Sequence, residues 1–85
     1  MYSIEFTKVA GQQLMAMPRN MACNVRAKIN LLAQDPYATN PNVRKLAGRD
    51  GCRLRVGDWR ILYRVEADRL VIVVMNIKPR GSAYQ

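Results

Sequence analysis

The chain has 85 residues, 49% of them hydrophobic, which suffices for one compact domain over residues 1–85 and leaves no material for a second core. Fourteen Lys and Arg oppose six Asp and Glu, and the net charge of +8 favours polyanions or acidic proteins as partners. With no histidine and only two cysteines, Cys23 and Cys52, set far apart, neither a metal site nor a redox CxxC motif nor any cofactor is expected.

Both cysteines are expected to be buried, reduced thiols. No apolar run approaches the roughly 18 residues that a membrane span needs, and no signal-like segment opens the chain. The expected compartment is therefore the cytoplasm, with no membrane partner.

Taken in order, Tyr2, Ile4 and Phe6 alternate with polar residues, which predicts a strand with one buried face. Thr7 offers an N-cap for a helix in which Ala10, Leu14 and Met17 recur on one side, and Pro18 ends it. A second helix carries Met21, Val25, Ile29 and Leu32 at helical spacing, with Arg19, Arg26 and Lys28 on a solvated or partner-facing side. Pro36 and Pro41 then mark a loop.

From Asn42 onward the period changes to that of strands, with "VRKLA", "CRLRV", "WRILYRVE" and "RLVIVVMNI" separated by turns at Gly57-Asp58 and Ala67-Asp68. Connections this short predict an antiparallel meander. The unbroken apolar run "LVIVVM" predicts the central strand of the sheet, covered on both faces. The expected class is α+β: an N-terminal strand and an αα-hairpin packed on one face of a small, mainly antiparallel sheet.

Side chains two apart on a strand share a face. Leu54 and Val56 should face the helices and leave Arg53 and Arg55 opposite, while Ile61, Tyr63 and Val65 should do the same and leave Arg60, Leu62 and Arg64 opposite. Hairpin pairing would gather the four arginines into one patch. Like charges across strands are mildly destabilising, and a face built for solubility intersperses acids. Between Arg53 and Arg64 the only acid is Asp58, in the turn, so the patch is better explained by a visiting anion. Arginine's rigid fork of donors makes phosphate the leading ligand class.

The segment "KLAGRDGCRLRVGDWRILYRVEADRLVIVVMNIKPRGSAY", Lys45 to Tyr84, resembles the RelE/ParE superfamily of toxins from bacterial and archaeal toxin–antitoxin pairs. The likeness rests on its "RLRVGDWRILY" hairpin and its closing arginine and tyrosine, and the preceding strand and two helices follow the family's order. The resemblance implies two activities to choose between. RelE-type members are ribosome-dependent endoribonucleases that cut messenger RNA in the decoding site, whereas ParE-type members inhibit DNA gyrase without catalysis. It also implies a catalytic set of Arg53, Arg55, Arg60, Arg80 and Tyr84; the basic residues Lys45, Arg49, Arg64 and Lys78 in and around the patch are read as RNA-binding positions. Arg44 is read with Lys45 and Arg49 as a contact to ribosomal RNA backbone or as a solvated cation. The implied partners are a cognate acidic antitoxin that folds on binding, the ribosome and messenger RNA, with promoter DNA reached only through the antitoxin complex.

The chemistry bears on these residues independently. Cleavage by a 2′-hydroxyl needs proton removal, stabilisation of charge on the phosphorane and proton delivery to the leaving oxygen. Arg60 and Arg80 suit the clamp on non-bridging oxygens, and Tyr84 is the proton-transfer candidate, since arginines at 53 and 55 are very poor proton acceptors. Trp59 either stacks on a base or caps the core. A toxin-fold protein that only binds nucleic acid is a third reading.

Overall fold

The computed structural model describes residues 2–48 and 50–79. The elements follow the order β1 (Ser3–Phe6), α1 (Lys8–Ala16), α2 (Arg19–Gln34), β2 (Val43–Lys45), β3 (Cys52–Val56), β4 (Trp59–Glu66) and β5 (Val71–Pro79). Thr7 caps α1 as its sequence position predicts: its hydroxyl oxygen accepts from the Ala10 amide at 3.1 Å. The same hydroxyl donates to the Met75 carbonyl at 2.9 Å, tying the start of α1 to β5. Pro18 then separates α1 from α2, occupying the N-cap position of the second helix where its missing N–H costs nothing.

The five strands form one sheet in the order β1-β5-β4-β3-β2. The pairs β2–β3, β3–β4 and β4–β5 are antiparallel, as the short turns require. β1 lies parallel to β5, reached through the helical hairpin, with Ile4 opposite Ile72 and Phe6 opposite Val74. This is the expected α+β arrangement, with two helices on one face of a mixed sheet.

The helix-facing core contains Ala10, Leu14, Val25, Ile29, Leu32, Leu54, Val56, Ile61, Tyr63, Ile72, Val74 and Ile77. Fully burying one such aliphatic side chain is worth about 1.5–3 kcal/mol, so this single layer dominates the stability of the domain. On the opposite face of β5, Val71 and Val73 are also buried. In the sheet register Val73 lies between Glu5 on β1 and Arg64 on β4, so charged side chains flank the apolar strand on the face the helices leave open.

One irregularity decides which way the end of β5 faces. Leu62 is opposite Asn76 while Tyr63 is opposite Val74, so Met75 is an extra residue in the ladder. Ile72, Val74 and Ile77 therefore all reach the core although strict alternation would split them. Side chains of α1 and its N-cap hold the bulged segment: the Thr7 hydroxyl reaches the Met75 carbonyl, and the Ile77 amide donates to Gln13 Oε1 at 2.6 Å.

Two expectations need correction. Cys52 is half-buried, but Cys23 is exposed on α2, because its position falls off the Val25/Ile29/Leu32 stripe; both are free thiols. The strand at the centre of the sheet is β4, with β5 one place nearer β1. Among the described residues no helix is long and apolar enough to cross a membrane.

Candidate anion-binding site

The two-residue turn Gly57-Asp58 fixes the register of the β3–β4 hairpin, with Gly57 at φ 57° as a tight reversal requires. Val56 then pairs with Trp59, and Arg55 is placed directly opposite Arg60. Two residues further from the turn, Arg53 is opposite Leu62 on β4 and opposite Arg44 on β2. The Met75 bulge turns Lys78 to this same face, where it pairs with Arg60.

The exposed face of the sheet thus carries two cross-strand rows of cations. One runs Arg55, Arg60, Lys78; the other begins Arg44, Arg53. Pro41, Asn42, Arg44, Arg53, Arg55 and Arg60 line a shallow cavity of about 130 Å³. Its rim is set by a local turn: the Asn42 amide donates to Asn40 Oδ1 at 2.9 Å, and the Arg55 amide donates to the Asn42 carbonyl at 2.8 Å.

The other half of the same face is treated differently. Arg64 pairs with Glu66 at 2.9 Å, and Arg69 reaches Glu66 at 2.6 Å and Glu5 at 2.9 Å. Hydrogen bonds from Arg69 and then Arg64 hold the Glu66 carboxyl below its ordinary range. Among the described residues no carboxylate pairs with Arg44, Arg53 or Arg55. Acids neutralise the β1 end of the face and leave the β2 end positive.

The structure brings Arg53, Arg55 and Arg60 together and adds Lys78 beside them. Arg64 shares the face, but its guanidinium turns to Glu66 and to Met75 Sδ at 3.6 Å, away from the cavity. Lys45 lies across the sheet: it pairs with Cys52 and lines a separate crevice with Tyr37, Leu46 and Asp50. The expected patch of four arginines is thus Arg44, Arg53, Arg55 and Arg60, with Arg44 in the place anticipated for Arg64. Arg49, Arg80 and Tyr84 lie outside the described residues. Trp59 is half-buried against the core, which is the capping role.

Pro41, Asn42 and Arg44 are the cavity residues that the strand-by-strand reading did not bring into the patch. A signal was present: Val43 packs on the core, so alternation along β2 sends Arg44 to the exposed face. Chemically, the lining can donate many hydrogen bonds and neutralise an anion, but guanidinium groups do not accept protons at neutral pH. The lining therefore suits the binding and stabilisation of negative charge, and it contains no group that accepts a proton at neutral pH.

Residues 4–84 match the model of the family described as the ParE toxin of the type II toxin–antitoxin system parDE. Toxin RelG of Mycobacterium tuberculosis (strain ATCC 25618 / H37Rv) is 29% identical over 86 residues, covering 99% of this chain and 97% of RelG. A chain of the archaeal RelE–RelB complex from Pyrococcus horikoshii OT3 superposes with a TM-score of 0.80 at 28% identity, covering 94% of this chain and 96% of that one. A chain of the intact Escherichia coli RelBE toxin–antitoxin complex shares the fold, with a TM-score of 0.80 at 18% identity and coverage of 93% and 96%.

Proposed function

This chain belongs to the ParE toxin family of type II toxin–antitoxin systems, within the RelE/ParE superfamily, and we propose that it acts as a ribosome-dependent messenger RNA endonuclease. The observation that carries the reading is the cavity in which Arg44, Arg53, Arg55 and Arg60 converge while the acids of the same face are engaged elsewhere. A cluster of forked cations, with no carboxylate among the described residues on Arg44, Arg53 or Arg55, suits a phosphodiester, whose non-bridging oxygens accept two parallel hydrogen bonds from one guanidinium.

In this mechanism Arg55 and Arg60 hold the scissile phosphate and stabilise the charge that grows on the phosphorane. Arg53 and Lys78 add positive potential from either side, and Arg80 completes the clamp. Tyr84 moves the proton, since the chain has no histidine and the cavity lining offers no base. The ribosome supplies the alignment of the 2′-hydroxyl with its phosphate, which an isolated binding face does not provide. Likeness to RelG over nearly the whole chain supports this branch of the superfamily.

An acidic cognate antitoxin is the natural inhibitor of such a surface. The Pyrococcus relative is found in a complex with RelB. A segment of matching negative charge would neutralise the +8 domain and fold as it binds. Promoter DNA would be reached through that complex.

The experiment is primer extension on a defined messenger in a purified translation system, comparing the wild-type chain with Arg60→Ala, Arg80→Ala and Tyr84→Phe. New 5′ ends that need the ribosome and disappear in the arginine variants support the endonuclease. A second reading, ParE-like gyrase inhibition, draws on the match to the ParE toxin family. Intact messenger together with blocked DNA supercoiling would establish that reading instead.

A further inference from the structure

The row that begins Arg44, Arg53 stands apart from the pair that faces the scissile phosphate in the reading above. Arg53 and Arg55 are two residues apart on β3, which separates the two rows by roughly 7 Å along the strand. That is the order of the distance between neighbouring phosphates of an extended single strand. We propose that Arg44, together with Arg53, forms a second phosphate subsite, which holds the phosphate adjacent to the one bound by Arg55 and Arg60 on the same RNA strand. This rests on the reading of the ligand as RNA.

Three observations carry it. Arg44 and Arg53 are direct cross-strand partners of like charge, an arrangement that costs stability unless an anion lies between them. They line the same cavity as Arg55 and Arg60, so the rows open onto one continuous depression. Asn42, whose backbone amide is fixed at the rim by Asn40, adds a side-chain amide that can donate to a phosphate or sugar oxygen. A cation that merely protected the β2 edge from strand addition would work equally well with a carboxylate beside it, as Arg64 and Arg69 have.

The subsite would set the register of the strand: with the neighbouring phosphate seated on Arg44 and Arg53, the scissile one is centred over Arg55 and Arg60. Arg44 is then a positioning residue that acts on binding before chemistry.

The test uses the free full-length chain and 2′-O-methylated oligonucleotides, which cannot be cleaved: a dinucleotide with one phosphate and a trinucleotide with two. Binding is titrated at several salt concentrations, following the arginine Nε–H signals by NMR. In the wild-type chain the trinucleotide should shift Arg44 and Arg53 in addition to Arg55 and Arg60. Its log–log salt slope should be steeper than that of the dinucleotide by about 0.7. Arg44→Gln should abolish that difference. A trinucleotide whose outer phosphate is a neutral methylphosphonate should abolish it with the wild-type chain, independently of any variant's folding.

Equal slopes for the two ligands in the wild-type chain, no binding of either, or a difference that survives Arg44→Gln would overturn the subsite. The two readings separate cleanly. Messenger cleavage without a slope difference leaves the endonuclease and removes the subsite, whereas a slope difference without cleavage leaves the subsite and removes the endonuclease.

Discussion

Arg55 and Arg60 are direct partners across the β3–β4 hairpin, two positive charges held side by side by a two-residue turn. Like charges so placed repel each other and disfavour folding, and in the proposed function the phosphate they bind offsets that cost.

Replacing Arg55 with Thr, a good strand former, should therefore raise the stability of the free chain by a few tenths of a kcal/mol while lowering cleavage. Urea unfolding at low and high salt checks this: the gain should shrink as salt screens the repulsion. A variant less stable than wild type at low salt would contradict the account of the pair.

In the proposed endonuclease Arg60 has the larger catalytic role. Losing one preorganised donor to a developing oxyanion costs about 3–4 kcal/mol, so Arg60→Ala should slow single-turnover cleavage on programmed ribosomes by roughly 10²–10³-fold. Arg69→Gln, which touches the carboxylates of Glu5 and Glu66 far from the cavity, should leave that rate unchanged.

Glu66 gives the fold an acid-sensitive contact. Its carboxyl is held below the ordinary range by Arg69 and then by Arg64, so the folded state favours the ionised form. That contribution is complete above the unfolded carboxylate value of about 4.3 and is lost as pH falls through the lower folded value. Melting temperatures measured across this acid range should fall for the wild-type chain and fall less for Glu66→Gln. The pair is exposed enough that high salt should weaken the effect.

Gly51 cannot be replaced without movement. Its φ of 123° is a conformation that other residues rarely adopt, and an added Cβ would lie 3.0 Å from the Tyr63 carbonyl oxygen and 3.2 Å from the Leu46 side chain. Gly51→Ala should cost about 1–3 kcal/mol in urea unfolding.

Tyr63 is 1% exposed, and its hydroxyl has no hydrogen-bond partner among the described residues. Burial, reinforced by the neighbouring Cys52 thiol, pushes the phenol well above its usual range. Tyr63→Phe removes an unsatisfied polar atom without changing the ring, so stability should stay level or rise by about 1 kcal/mol. A clear loss of stability would mean that the hydroxyl has a partner after all.

The sequence alone determined what depends on local period. Helical stripes at Ala10/Leu14 and Val25/Ile29 and strand alternation at Leu54/Val56 and Ile61/Tyr63 identify the buried faces directly, because burial repeats with each element's own geometry. Alternation likewise put Arg53, Arg55 and Arg60 on one exposed face. What only the tertiary structure decided is how elements align with one another. Pairing of β2 with β3 brought in Arg44 and sent Lys45 to the opposite face. Glu66 drew Arg64 out of the cluster. The extra residue at Met75 turned Lys78 toward Arg60 and kept Ile77 in the core. Register, bulges and ion pairs arise from contacts between residues far apart in the chain, and a shift of one residue in pairing reverses a side chain's face, so no local pattern can record them.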